Sequence, residues 1–240
     1  TTADNRLYLH MPRAGKQAYQ WLMQELLPND HVAVAAYDSG LRLHHDFTRD
    51  RHRLGLALRS ASRGKPPESR WPSRSGPASP GVTLASLVPK LEDVSAPSED
   101  FLESLATLGE GLAAIPGRKN LVLFGVDVPE YGSRKAEEAL DAAIESLNAA
   151  NVAVYTIGVT RRGHQESLDQ LAERTGGDYL FRFQDFLDPL RRISRLNSGF
   201  YLLSFKSEQP AAGAGYRPVS VRTASDEFEV RSRGGYRYGG

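Results

Sequence analysis

Six histidines and 29 acidic side chains are the groups in this 240-residue chain able to ligate a metal or move a proton, and the sequence holds no cysteine. That absence removes disulfides, thiolate nucleophiles and Cys-ligated zinc together, and it is compatible with a reducing or an oxidising compartment. His31, His44, His45 and His52 gather around Asp46 in the sequence, an assortment that could serve acid–base catalysis. No serine beside them sits in a recognisable nucleophile elbow, and His44 and His45 are adjacent in a strand-like run, so they point to opposite faces and cannot share one metal. Asp38-Ser39-Gly40 imitates the start of an oxygen-ligand motif, yet it lies between two strand-like runs where Asp and Gly serve a turn. Gly109-Glu110-Gly111 falls inside a helical pattern and lacks the Lys-Ser/Thr of a phosphate loop. Arg191, Arg192 and Arg195 recur at helical spacing near a helix C-terminus and read as a solvated face. The residue types favour binding over catalysis.

The elements that must position these groups alternate between helix and strand. Ala18, Leu22, Met23 and Leu26 repeat at three- and four-residue spacing after Pro12, which fits the first turn of a helix ending at Pro28-Asn29. His31 to Tyr37 and Leu41 to Phe47 flank the Asp38-Ser39-Gly40 turn and predict a β-hairpin on a sheet edge. A helix is expected over 50–61, then a mobile surface loop over 63–81, dense in Pro, Ser, Gly and Arg and carrying Trp71 as either a recognition residue or one folded back onto the domain. Helices follow at 98–114 with Ser98 as N-cap, at 133–149, at 165–174 and at 185–196. The strands Leu121–Phe124, Val152–Ile157 and Tyr179–Phe181 lie between them, and strand–helix–strand succession implies parallel pairing. Thr175-Gly176-Gly177 carries a left-handed helix cap. From 198 onward, Phe200 to Phe205, Tyr216 to Arg222 and Phe228 to Arg231 read as strands without helices.

A family resemblance rests on the order of several short strings. They are Leu27-Pro28-Asn29-Asp30-His31-Val32-Ala33-Val34, Tyr37-Asp38-Ser39, Asp46-Phe47-Thr48-Arg49-Asp50, Ile115-Pro116-Gly117-Arg118-Lys119-Asn120-Leu121-Val122-Leu123, Asn151 to Ile157, Thr175-Gly176-Gly177 and Arg231-Ser232-Arg233-Gly234-Gly235-Tyr236. None is specific alone, but together they span nearly the whole chain, which thereby resembles the bacterial von Willebrand factor A-related domains. The resemblance implies an α/β fold, a doubly wound and mostly parallel sheet with helices on both faces and the hairpin at one edge. It implies an α/β domain over 1–197 and a small C-terminal β appendage over 198–240. A ligand face would lie at the carboxyl ends of the central strands.

In that family a divalent cation is held by an Asp-x-Ser-x-Ser segment after the first strand, a loop threonine and an Asp after the fourth strand. Such oxygen ligands suit Mg²⁺ or Mn²⁺ and leave a position for a partner's carboxylate. Carried onto this chain, the set is Thr2, Asp4, Thr83 and Asp127, and it is degenerate. Thr2 and Asp4 stand where serines belong only if an Asp precedes Thr1. A second alignment makes Leu7-Tyr8-Leu9 the first strand and puts Met11-Pro12-Arg13 at the metal loop, without ligands. Gly125-Val126-Asp127 places its carboxylate one residue later than the family's Ser-Asp-Gly.

Function is expected to be binding of another protein by a non-catalytic, adhesion-type module, with a metal-free structural domain and an α/β hydrolase as rival readings. The resemblance implies an extracytoplasmic bacterial location. A formal charge of +1 offers no basic field for nucleic acid. No apolar run nears the roughly 20 residues of a membrane span, and residues 1–12 lack a secretory signal's order. The polar start before a helix raises the expectation of a further strand upstream. Gly234-Gly235-Tyr236 is expected to act as a hinge.

Overall fold

The computed structural model describes residues 7–37, 40–66, 101–125, 132–159, 165–181, 185–199, 201, 203, 213, 215–225, 227–228 and 230–238. In chain order these form α1 (Leu7–Glu25), β1 (Val32–Tyr37), β2 (Leu41–Thr48), α2 (Arg51–Ala61), α3 (Phe101–Leu112), β3 (Lys119–Gly125), α4 (Arg134–Ala149), β4 (Val152–Gly158), α5 (Glu166–Arg174), β5 (Asp178–Phe181), α6 (Leu187–Leu196), β6 (Gly215–Pro218) and β7 (Gly235–Tyr238). The result is a mixed α/β fold.

β4 is the centre of a three-stranded parallel sheet in the order β3-β4-β5. All seven of its residues are buried, which its unbroken apolar run makes favourable, because a strand covered on both faces has no use for polar alternation. One face packs Val152 and Val154, with Leu121 and Leu123 of β3, against α3 and α4 through Leu105, Leu108, Ile144 and Leu147. The other packs Ala153, Tyr155 and Ile157, with Val122 and Phe124, against Ala14 and Ala18 of α1, Leu190 and Ile193 of α6 and Phe186 just before α6. The helices therefore form a layer on each side of the sheet.

β5 pairs with β4 only from Tyr155 onward, so the amide of Val154 needs another acceptor. Thr175 supplies it: its buried hydroxyl oxygen accepts from Val154 N at 3.0 Å and turns its own proton toward Leu171 O at 2.7 Å. The hydroxyl thus joins the end of α5 to the strand while leaving no buried donor unpaired. Gly176 follows with φ of +77°, the left-handed cap expected from the sequence, and Gly177 N returns to Ala172 O at 2.9 Å.

The β1-β2 hairpin forms as expected, antiparallel, with irregular register around Val34. Among the described residues, however, it pairs with no strand of the parallel sheet and forms a two-stranded sheet. Helices bridge the two. Val34 packs with Leu22 and Leu26 of α1 and with Leu54 and Ala57 of α2. On the opposite face Leu41, with Ala33, Leu43 and Phe47 against it, joins the α3/α4 cluster. Arg51 of α2 donates to Met23 O (3.0 Å) and Leu26 O (2.7 Å), satisfying carbonyls at the end of α1. Asp50 caps α2, accepting from His52 N and Arg53 N, and these backbone bonds, that from Arg53 foremost, hold its carboxyl below the usual value.

Several expectations are corrected. α1 begins at Leu7 and carries Pro12 inside it, so Leu7-Tyr8-Leu9 is helical and cannot be a first strand. The tail is less stranded than its apolar runs implied, since residues 219–222 and 230–231 are not strands. Gly235–Tyr238 pairs antiparallel with Gly215–Pro218, so Gly234-Gly235-Tyr236 enters a strand and is not a hinge. Of the loop expected over 63–81, residues 67–81 lie outside the described residues, as do Trp71 and Ser98.

Thr175→Val keeps the shape of the side chain and removes the acceptor for Val154 N. It is expected to destabilise the fold by about 1–3 kcal/mol, read from urea unfolding, with Thr175→Ser close to the parent; equal losses in both would place the effect in packing instead.

Candidate functional site

Each helix that precedes a parallel strand runs back along it, so the strand ends and helix starts collect at one edge. α3 ends at Leu112 shortly before β3 begins at Lys119, which puts its first residue, Phe101, over the carboxyl end of the sheet. The Phe101 ring meets that of Tyr37, the last residue of β1, edge to face at 5.1 Å. β1 therefore runs in the same direction as β3, and its end reaches the same edge.

That edge is built differently on its two sides. Above β4 and β5 it is tightly filled: a side chain at Gly158 would meet Gln165 Oε1 at 2.8 Å and the Phe181 ring at 3.1 Å. Phe186 is fully buried beneath, its ring 6.1 Å from that of Phe124, and its amide donates to Gln17 Oε1 of α1 at 2.8 Å. Above β3 the described residues leave somewhat more room, since a side chain at Gly125 would be in ordinary contact with Leu123 and Leu168 at 3.8 Å. Val159 N donates to Gly125 O at 3.1 Å and ties the two strand ends together.

Three of the four residues inferred as metal ligands border this roomier side in sequence. Thr2 and Asp4 precede α1, and Asp127 follows β3 by two residues. These three and Thr83 lie outside the described residues. Among the described residues, no group of three His, Cys, Asp or Glu side chains is placed to hold a metal ion.

The histidines do not converge. His45 Nδ1 lies 2.7 Å from Asp46 O, Asp46 Oδ1 accepts from Phe47 N at 2.7 Å, and the His52 amide is used in the α2 cap. His44 is half-buried on β2 with Nδ1 shielded from water. Burial first and the charge of Arg42 second hold its pKa below the usual 6.5.

Sequence reasoning missed a second cluster at the opposite, amino-end edge, where the tail docks. Asp178 opens β5 and is 12% exposed, and its carboxylate binds Arg192 Nε of α6 at 2.9 Å and Arg231 Nη1 of the tail at 2.8 Å. Arg231 also donates to Gly177 O (2.9 Å), and Gly234 N donates to Arg174 O (3.0 Å). Asn148 Nδ2 reaches both Arg174 O (3.0 Å) and Tyr216 Oη (3.3 Å). Arg192 is thus an ion-pair partner and not simply part of a solvated arginine face. No local pattern announces these pairs, because their members come from separate elements; the Arg231-Ser232-Arg233 string beside a Gly-Gly pair was the available signal. The tail is fastened to the α/β body by charge-assisted bonds, and this edge serves assembly of the fold.

No known family profile and no curated protein matches the chain. A solved structure described as an uncharacterized membrane spanning protein from Vibrio fischeri is 14% identical, with a TM-score of 0.26 over 78% of this chain and 83% of that one. That likeness is too slight to transfer fold or function. Among the described residues, no helix is long and apolar enough to cross a membrane.

Two outcomes follow. A histidine held neutral by folding takes up its proton more readily when unfolded, so the stability it contributes is fully present above the unfolded value of 6.5 and lost as pH falls from there toward the lowered folded value. His44→Gln is expected to flatten the fall in melting temperature between about pH 7.5 and 5; an unchanged slope would acquit His44. Asp178→Ala removes the carboxylate shared by Arg192 and Arg231, and is expected to cost about 1–3 kcal/mol after allowance for partial exposure, with faster proteolysis confined to the tail. Cleavage unchanged at a lowered melting temperature would show that Asp178 does not hold the tail.

Proposed function

We propose that this protein is a non-catalytic, adhesion-type interaction module of the von Willebrand factor A kind, with a doubly wound sheet that binds another protein at the carboxyl-end edge between β1 and β3. One observation carries the reading. The ends of β1, paired with β2, and of β3, paired with β4, reach the same edge, and on this reading the chain winds outward in opposite directions from between them. In open α/β sheets the crevice at such a reversal is where ligands bind, outside the carboxyl ends of the strands. The roomier side of the edge, over Gly125, adjoins the same place, and the segments bearing Thr2, Asp4 and Asp127 lead into and out of the elements that frame it.

On this reading the crevice takes a carboxylate-bearing partner, with Mg²⁺ or Mn²⁺ bridging through Thr2, Asp4, Thr83 and Asp127. Hydroxyl and carboxylate oxygens suit such hard cations. The family resemblance further supports an extracytoplasmic location in a bacterium. The metal-free alternative keeps the same edge and relies on shape and hydrogen bonding alone.

Calorimetric titration of Mg²⁺ and Mn²⁺ separates the two. Saturable binding abolished by Asp127→Ala is the expected result. No heat, with an unchanged melting temperature, would overturn the bridging cation and leave a metal-free surface; heat that survives in Asp127→Ala would place the ion elsewhere.

A further inference from the structure

The formal charge of +1 averages two helical layers of opposite sign. α1, α2 and α6 together hold eight arginines and lysines against two acids, Glu25 and Asp188, whereas α3, α4 and α5 hold three against nine. The strands lie between these layers, so the molecule has one broad basic face and an acidic one opposite it. On α1 the exposed residues Arg13, Lys16, Gln20 and Met23 follow one another at three- and four-residue spacing, and Leu27 continues the row just past the helix. The exposed row of α2 is His52, Leu56 and Arg59, continued by Arg63. Arg191 of α6 donates to Gln24 Oε1 of α1 at 3.1 Å, which joins the third helix to the same surface. Among the described residues, Arg13, Lys16, Arg59, Arg63 and Arg195 have no carboxylate partner. Large apolar side chains stand among these cations: Leu27 is 65% exposed, Leu56 46% and Met23 43%. Among the described residues, α3, α4 and α5 expose none of that kind.

We propose that the outer face of α1, α2 and α6 is a docking surface for an anionic lipid bilayer, on which the protein lies without spanning it. Three features select this occupant. Each Lys or Arg held near an acidic headgroup layer strengthens binding several-fold, and the acidic layer of the molecule is repelled, so the charge asymmetry turns one face alone toward the membrane. Leu27, Leu56 and Met23 gain by leaving water only where the occupant is apolar beneath its charge, as a bilayer is. A second copy of this chain fits less well, because its acidic layer offers charge without large exposed apolar side chains, and a nucleic acid backbone likewise gives them no cover. The cations and apolar side chains are also spread in rows over the outer sides of neighbouring helices. A protein partner draws its affinity from a few anchors seated in pockets, whereas a fluid headgroup layer adapts to scattered points. The surface is a broad face of the molecule and not its carboxyl-end edge, so the proposal stands whether or not a partner binds between β1 and β3.

Sedimentation with phospholipid vesicles is the test. The protein is expected to bind vesicles of phosphatidylcholine mixed with phosphatidylglycerol and to leave vesicles of phosphatidylcholine alone unbound. Arg59→Glu with Arg63→Glu is expected to weaken binding at least about tenfold, and Leu27→Ser with Leu56→Ser at least about threefold, whereas Glu137→Gln with Glu173→Gln on the acidic layer does not weaken it. All six positions are exposed, so the variants are expected to melt near the parent; if the reversal on α2 prevents folding, Arg13→Glu with Lys16→Glu tests the same face. Because the chain has no cysteine, a polarity-sensitive dye on Leu27→Cys reports orientation: its emission is expected to shift to the blue on anionic vesicles, and that of a dye on Ala142→Cys of α4 is not. Absence of binding, equal binding to both kinds of vesicle, or binding that survives the charge reversals overturns the proposal, as does a dye on Leu27→Cys that stays in water on bound protein. Oligomers that dissociate in high salt, without vesicle binding, would assign the face to a second copy and refute the membrane. Retention on polyglutamate or DNA without vesicle binding would refute it in favour of an acidic macromolecule.

Discussion

A strand buried on both faces must hand every backbone donor and acceptor to a neighbour, and β4 imposes that requirement on the rest of this molecule. β3 pairs with it along its full length, from Lys119 against Val152 to Gly125 against Gly158. β5 is shorter and leaves Val154 N to the hydroxyl of Thr175. The same burial demands apolar cover above and below, which α3 and α4 supply on one face and α1 and α6 on the other. The burial of Tyr155 adds a polar obligation, met where its hydroxyl donates to Asn197 Oδ1 at 3.1 Å and lies 3.4 Å from Arg118 Nη2. The centre of the sheet therefore fixes the turn after α5, the end of α6 and the loop before β3.

The two edges of the sheet are built differently. At the amino end, charged groups are committed inward: Asp178 holds Arg192 and Arg231, and Asn148 holds the end of α5 and Tyr216. Burying such pairs is worthwhile only where several bonds satisfy them at once, and here they fasten the tail. At the carboxyl end the described side chains are mostly backbone-bound or apolar, and a side chain at Gly125 would be in ordinary contact with Leu123 and Leu168 at 3.8 Å.

Much of the frame was legible in the sequence. The helix over 133–149, the strand beginning at Val152 and the left-handed turn at Gly176 follow from rules that act within a few residues, and all were found. The start of α1 was misjudged because Pro12 fits a first turn equally well, and the loss of one backbone bond inside a long, packed helix is offset by burial of Ala14, Ala18 and Leu22. The tail misled for a related reason. Alternating apolar residues such as Tyr201, Leu203 and Phe228 have strand propensity, yet all three are exposed, and propensity without a partner strand does not make a ladder.

By itself, then, the sequence determined local quantities: the helix over 133–149, the strand beginning at Val152, the exclusion of cysteine chemistry and a formal net charge of +1. Tertiary structure alone decided whatever depends on meetings between distant segments. It set the double use of Thr175, the clamp of Asp178 by two arginines, the fastening of the tail and, among the described residues, the separation of the hairpin from the parallel sheet. The physical reason is range. Helix caps and apolar periods act over a few residues, whereas an ion pair or a strand edge finds its partner only after the chain has been brought back on itself.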